Sequence, residues 1–152
     1  MPTFKTGNMF KVPGLKIVTT NSFLTKDRRL VMGRGAAWTL LTRIPDIDRI
    51  FGRMVFDTCG HLGTYGLLMY GKYGAAQIKH HFRNKADLDL IAFSMAFLAD
   101  EAKAKSYIYH INYPGIGNGG LDKDIVRPIL DILPDNVYVW EKAEHQDDTN
   151  NH

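Results

Sequence analysis

The chain has 152 residues, of which 45% are hydrophobic and 23% charged, with a formal net charge of +3. That length suits one domain with a full core, and the composition excludes a disordered or fibrous chain. The basic excess is too small and too scattered to define a nucleic-acid binder by itself, and no stretch is long and apolar enough to span a bilayer.

Met1–Thr20 carries no apolar run of signal-peptide length. The single cysteine, Cys59, cannot form a disulfide within the chain and suits a reducing compartment, so the expected localisation is cytoplasmic. Met1–Lys5 is at most a short strand. Leu15–Thr20, rich in β-branched residues and preceded by Pro13-Gly14, is predicted to be a buried strand. Asn21–Val31 is a polar loop, in which Arg28 and Arg29 are solvated or reach a phosphate. Met32-Gly33-Arg34-Gly35-Ala36-Ala37 opens a helix through about Arg43. A second helix starts at Pro45, with Asp46 as its cap and Ile47, Ile50, Phe51, Met54 and Val55 at helical spacing. Cys59, near its end, reads as a buried structural thiol rather than a nucleophile.

Leu67–Tyr70 and Ala76–Phe82 are the next predicted strands, and Leu88–Ala104 is the longest predicted helix. Tyr107–Asn112 is a strand, a helix runs from Asp122 to about Leu133, and Val137–Trp140 is the last strand. Pro128 disfavours a helix interior, which moves the expected start of regular helix to near Arg127. Residues 1–142 are expected to form one domain and residues 143–152 a polar, disordered tail. Strands alternating with helices predict a three-layer α/β/α sandwich around a mixed, mostly parallel sheet.

The chemistry concentrates in Tyr113-Pro114-Gly115-Ile116-Gly117-Asn118-Gly119-Gly120-Leu121, which has four glycines in nine residues between a strand and a helix. Glycines let the main chain approach a ligand, and exposed N–H groups beside a helix N-terminus suit a phosphate. The spacing is neither a P-loop nor a dinucleotide fingerprint. A plain turn needs fewer glycines. Gly33-Arg34-Gly35-Ala36 stands at a corresponding helix start, so the two loops could clamp the two phosphates of one ligand.

Three segments together resemble the macrodomains, the ADP-ribose-binding α/β/α fold. Gly7-Asn8-Met9-Phe10 is similar to the family's adenine-side turn. Thr20-Asn21-Ser22 with Met32–Ala37 looks like the loop along the distal ribose, and Pro114–Leu121 looks like the phosphate loop. Gly120-Leu121-Asp122 and Lys85-Ala86-Asp87-Leu88 are most similar to the terminal ADP-ribose glycohydrolases and the antitoxins that remove ADP-ribose from DNA.

The resemblance implies ligand contacts from Asn8, Met9, Asn21, Met32, Gly33, Gly35, Ala36, Pro114, Gly115, Ile116, Gly117, Asn118, Gly119, Gly120 and Leu121. It also implies that Lys85 attacks the anomeric carbon of the distal ribose and that Asp122 assists proton transfer. Asn8 departs from the family's aspartate at that position.

Read on their chemistry alone, Asp122 is equally a helix N-cap, and Lys85 reads sooner as part of a solvated basic edge with Lys79, His80, His81 and Arg83 than as a nucleophile, a balance that the resemblance makes even. Trp140 reads as core or rim packing sooner than as an adenine stack. His80 and His81, adjacent on a predicted strand, point to opposite faces; no metal and no cofactor are expected. The expected function is binding of ADP-ribose or a derivative with hydrolysis of an ADP-ribosyl linkage on modified protein or nucleic acid. The alternatives are a non-catalytic module that binds or sequesters ADP-ribose or a signal nucleotide, an ADP-ribose 1″-phosphate phosphatase, and a salt-sensitive polyanion binder. No membrane contact and no obligate protein partner are expected.

Overall fold

The computed structural model describes residues 1–143, so the tail expected over residues 143–152 lies, but for Ala143, outside the described residues. The strands are β1 (Thr3–Thr6), β2 (Leu15–Thr20), β3 (Leu67–Tyr70), β4 (Tyr73–Gln77), β5 (Tyr109–Asn112) and β6 (Val137–Glu141). The helices are α1 (Gly35–Arg43), α2 (Ile47–Thr58), α3 (Leu88–Ala104) and α4 (Lys123–Leu130). One sheet has the order β1-β6-β5-β2-β4-β3, parallel throughout except for the antiparallel pair β3 and β4.

Alternation along the strands builds a core on each face of this sheet. Ile17 faces a cluster with Ile111, Val137, Val139, Ile91, Met95, Val126 and Leu130 beneath α3 and α4. Val18, the next residue, faces the opposite cluster with Leu40, Ile47, Phe51 and Val55 of α1 and α2. The layers are therefore helix, sheet and helix, and the sheet is mixed but mostly parallel, as predicted. No helix among the described residues is long and apolar enough to cross a membrane.

This topology places the site. The carboxyl ends of β1, β6, β5, β2 and β4 lie along one edge. At that edge β2 leads to α1 on one face, while its neighbour β5 leads to α4 on the other. Adjacent parallel strands whose connections leave to opposite faces open a crevice between their ends, the preferred ligand position in such sheets.

Four local expectations are corrected. The strand expected over Ala76–Phe82 lies at Tyr73–Gln77 instead. Its Gly74-Ala75-Ala76 segment has little β-propensity, yet these small residues are buried where packing is tight: a Cβ on Gly74 would stand 2.6 Å from Met69 Sδ. His80 and His81 consequently lie beyond the strand, with His80 Nδ1 3.1 Å from the Gly63 carbonyl. Helix α4 begins at Lys123 and contains Pro128 in its interior. Its missing N–H is tolerated because the Asp122 cap starts the helix and Val126 and Leu130 are buried. Asp46 precedes α2 but makes no side-chain cap bond, since its backbone is left-handed at φ 73°. Cys59 is only half-buried; burial still pushes its thiol up, away from the reactive thiolate.

Candidate functional site

Two loops meet over the crevice. After β5 the chain turns through Pro114 and Gly115, forms a short 3-10 turn over Gly117–Gly119, and enters α4 through the Asp122 cap. Gly115 is left-handed (φ 81°) and so close to the core that a Cβ would stand 2.8 Å from Ile91 Cδ1. Only glycine lets the loop lie this low. The loop is closed internally by Leu121 N–H to Gly115 O (2.9 Å) and Gly120 N–H to Gly117 O (3.0 Å). Among the described residues, none accepts a hydrogen bond from the main-chain N–H groups of Ile116, Gly117 and Asn118. Gly117 and Asn118 are also exposed.

Across the crevice, α1 starts at Gly35 with no side-chain cap. Its first N–H groups are therefore open to a ligand as well. The two loops approach at one point: a Cβ on Gly35 would lie 3.7 Å from Asn118 Nδ2. Two rows of N–H donors, one beside a helix N-terminus, thus face one crevice, an arrangement whose chemistry suits an anionic group.

The other expected residues are placed as follows. Gly35 borders the loop after β5 at Asn118, and Gly33 and Ala36 flank it in the chain, Gly33 exposed and Ala36 half-buried. Pro114, Gly119 and Leu121 are loop framework, Gly119 accepting the Ala86 N–H at 2.9 Å. Met9 and Met32 are core residues at 3% exposure, able to offer a ligand little but main chain. Asn21 is buried with its amide committed, Nδ2 to the Val31 carbonyl (3.0 Å) and Oδ1 from the Phe23 N–H (2.9 Å). Asn8 caps the 3-10 turn Met9–Lys11, accepting the Phe10 N–H at 2.9 Å. Arg28 and Arg29 turn elsewhere: Arg28 lies 3.7 Å over Phe56, and Arg29 pairs with Asp27 at 2.9 Å.

Lys85 and Asp122 come to the same end of the phosphate loop. The Lys85 stem lies along Gly120, where a Cβ would be 3.1 Å from its Cε. Asp122 is exposed and accepts the Asp124 N–H at 2.9 Å, so it does cap α4. A lysine not singled out from the sequence stands near Arg34. Lys79, two residues past β4, is half-buried; burial first and the Arg34 charge second hold its ammonium below the usual range. The basic run Lys79–Arg83 concealed it, because its burial depends on residues 78–87 folding back through Asp87 N–H to Ile78 O (2.9 Å).

Trp140, on β6, lies beside Gly7, whose Cβ would lie 3.7 Å from its ring. Its indole N–H donates to His110 Nδ1 at 2.9 Å, and His110 Nε2 donates to the Pro13 carbonyl at 2.9 Å. Indole N–H cannot accept, so the imidazole is held neutral with its proton on Nε2. Burial lowers the His110 pKa; the Pro13 bond opposes this and the Lys16 charge adds to it. The unfolded chain therefore binds this proton more readily, and the stability is present above the ordinary histidine range and lost as pH falls through it. His110→Gln should flatten the decline in melting temperature between about pH 7 and pH 5. Equal slopes in wild type and variant would contradict this.

No protein-family model matches the sequence, and no curated protein matches it. Solved structures do. The macrodomain of Mycobacterium tuberculosis DarG is similar with a TM-score of 0.72 at 18% identity, covering 94% of this chain and 99% of that one. The macrodomain of Thermus aquaticus DarG gives 0.70 at 20% identity, covering 95% and 98%. Thermosipho africanus DarTG in complex with ADP-ribose gives 0.71 at 18% identity, covering 93% of this chain and 41% of that one. Among the described residues no three His, Cys, Asp or Glu side chains converge as metal ligands would. The sheet order, the two helical layers and these superpositions agree on one architecture: the chain has the macrodomain fold.

Proposed function

We propose that residues 1–142 bind ADP-ribose, free or attached to protein or nucleic acid, in the crevice between β2 and β5, and hydrolyse an ADP-ribosyl linkage in the cytoplasm. The observation that carries this reading is the pair of loops meeting at Gly35 and Asn118 with free N–H groups on both sides. A diphosphate satisfies both rows at once, whereas a single phosphate satisfies one. ADP-ribose is the ligand in one of the similar structures, which supports the choice of diphosphate.

With the diphosphate in the cradle, the distal ribose is directed toward the loop end that carries Lys85 and Asp122. A neutral lysine amine attacks the anomeric carbon, the bond to the acceptor breaks, and the acceptor leaves with a proton delivered by a carboxyl group. Water then releases ADP-ribose and regenerates the amine. Lys85 with Asp122 is the first assignment of these roles. Lys79 is the second, favoured by its burial beside Arg34, which shifts it toward the neutral form a nucleophile requires. A site that binds without turning over is the remaining reading.

Alanine at Lys79, Lys85 and Asp122, assayed for release of ADP-ribose from modified protein and modified nucleic acid, separates these roles. The acting lysine should cost about 100-fold or more in turnover and the other lysine less than about ten-fold. Full hydrolysis in both lysine variants would overturn the amine mechanism. No hydrolysis by the wild type, with ADP-ribose binding retained, would leave the binding module.

A further inference from the structure

We infer that Asn112 is a positioning residue, a side-chain clasp that sets the gap between β2 and β5 and so aligns the two halves of the diphosphate cradle. This rests on the proposed ligand site and adds a residue that the motifs there do not include.

The main-chain rungs between these strands establish the expected pattern. Leu15 N–H donates to Ile108 O at 3.0 Å, and the pairing continues through Lys16 with His110 and Ile17 with Ile111. In a parallel ladder every second N–H repeats this step, so the Thr19 N–H should reach the main-chain carbonyl of residue 112. It donates instead to the Asn112 side-chain Oδ1 at 3.0 Å, and Asn112 Nδ2 returns a bond to Thr19 Oγ1 at 2.8 Å. The last rung of the β2–β5 ladder is therefore a side-chain amide, while β2 stays paired with β4 through Thr20 and Gln77.

The consequence is geometric. A side-chain rung holds the strand ends farther apart than a main-chain rung. It does so one residue before Thr20 and two residues before Pro114, where the two loops spring to opposite faces. Tyr113 N–H bonds to Trp140 O at 2.7 Å on the other side, so β5 cannot shift to relieve a change at the rung without disturbing β6. The amide matches its partner atom for atom: Oδ1 accepts from the main chain and Nδ2 donates to the hydroxyl. Asn112→Ala removes both bonds but lets the main-chain rung form, so the variant is expected to fold with a narrower crevice.

Two readouts on the full chain test this. Amide hydrogen exchange of ligand-free Asn112→Ala should rise in residues 21–36 and 113–121 together, with α2 and β1 unchanged. ADP-ribose affinity of the same folded variant should fall about ten-fold, with Thr19→Ser, which keeps the hydroxyl, binding within about two-fold of wild type. Affinity within about two-fold of wild type in Asn112→Ala, or exchange unchanged in either loop, overturns the clasp. If wild type itself fails to bind ADP-ribose while exchange rises in both loops, the clasp stands and the ligand reading falls.

Discussion

Gly52→Ala should destabilise the protein by about 3 kcal/mol, a large share of the roughly 5–15 kcal/mol that holds a domain of this size together. The sign is the informative part. Gly52 lies within α2, where replacing glycine with alanine ordinarily improves helix stability by about 1 kcal/mol. Here a Cβ would sit 2.0 Å from the Arg28 carbonyl oxygen and 2.9 Å from the Arg29 Cα, both main-chain atoms that cannot rotate away. The loop after β2 is laid directly on the helix at this point, with Arg28 left-handed at φ 62°. Leu30 N–H to Asp48 O (3.0 Å) ties the same loop to α2. Alanine would lift this loop, and Leu24 and Leu30, buried at 8% and 1% exposure, would lose their packing. Urea unfolding decides it: a lower midpoint agrees, while an equal or higher one shows that the loop does not rest on α2.

Gly33→Glu should reduce ADP-ribose affinity by about 100-fold without loss of stability, because like-charge juxtaposition between the new carboxylate and the diphosphate costs several kcal/mol. Gly33 is exposed, and a Cβ there meets nothing within 4 Å. The substitution therefore tests the crevice without a packing confound. The same carboxylate at Gly117, though also in open space, would carry the strain of a left-handed backbone (φ 63°). Position 33 is thus the cleaner probe, and a circular dichroism melt checks that the fold is intact.

The parts of this molecule legible in sequence are those whose signal is local. The β-branched run Leu15–Thr20 is β2 residue for residue, and Leu88–Ala104 is α3, opened by Asp87 accepting the Asp89 and Leu90 N–H groups. The glycine-rich Pro114–Leu121 loop could be recognised because low, left-handed backbone demands glycine. What stayed hidden depends on partners distant in sequence. Strand β4 is made of small residues that only its neighbours make strand-like. Gly52 looks like a weak helix residue until the loop at Arg28 is laid on it. Asn112 ends a strand unremarkably until Thr19, 93 residues away, takes both of its bonds. Lys79 sits in a basic run whose burial follows from tertiary contacts alone. Asn21 and Met32, by contrast, were recognised by motif, and the fold directs their side chains into loop bonds and core rather than the crevice.

The Gly33–Ala36 and Pro114–Leu121 loops are proposed to hold one diphosphate ligand between them. Calorimetric titration of ADP-ribose into the wild type and into Gly33→Glu, side by side in one buffer, tests it most directly. Saturable one-to-one binding by the wild type, weakened about 100-fold in the variant, is the predicted result. Absence of saturable binding by the wild type, or equal affinity in the two proteins, would contradict it.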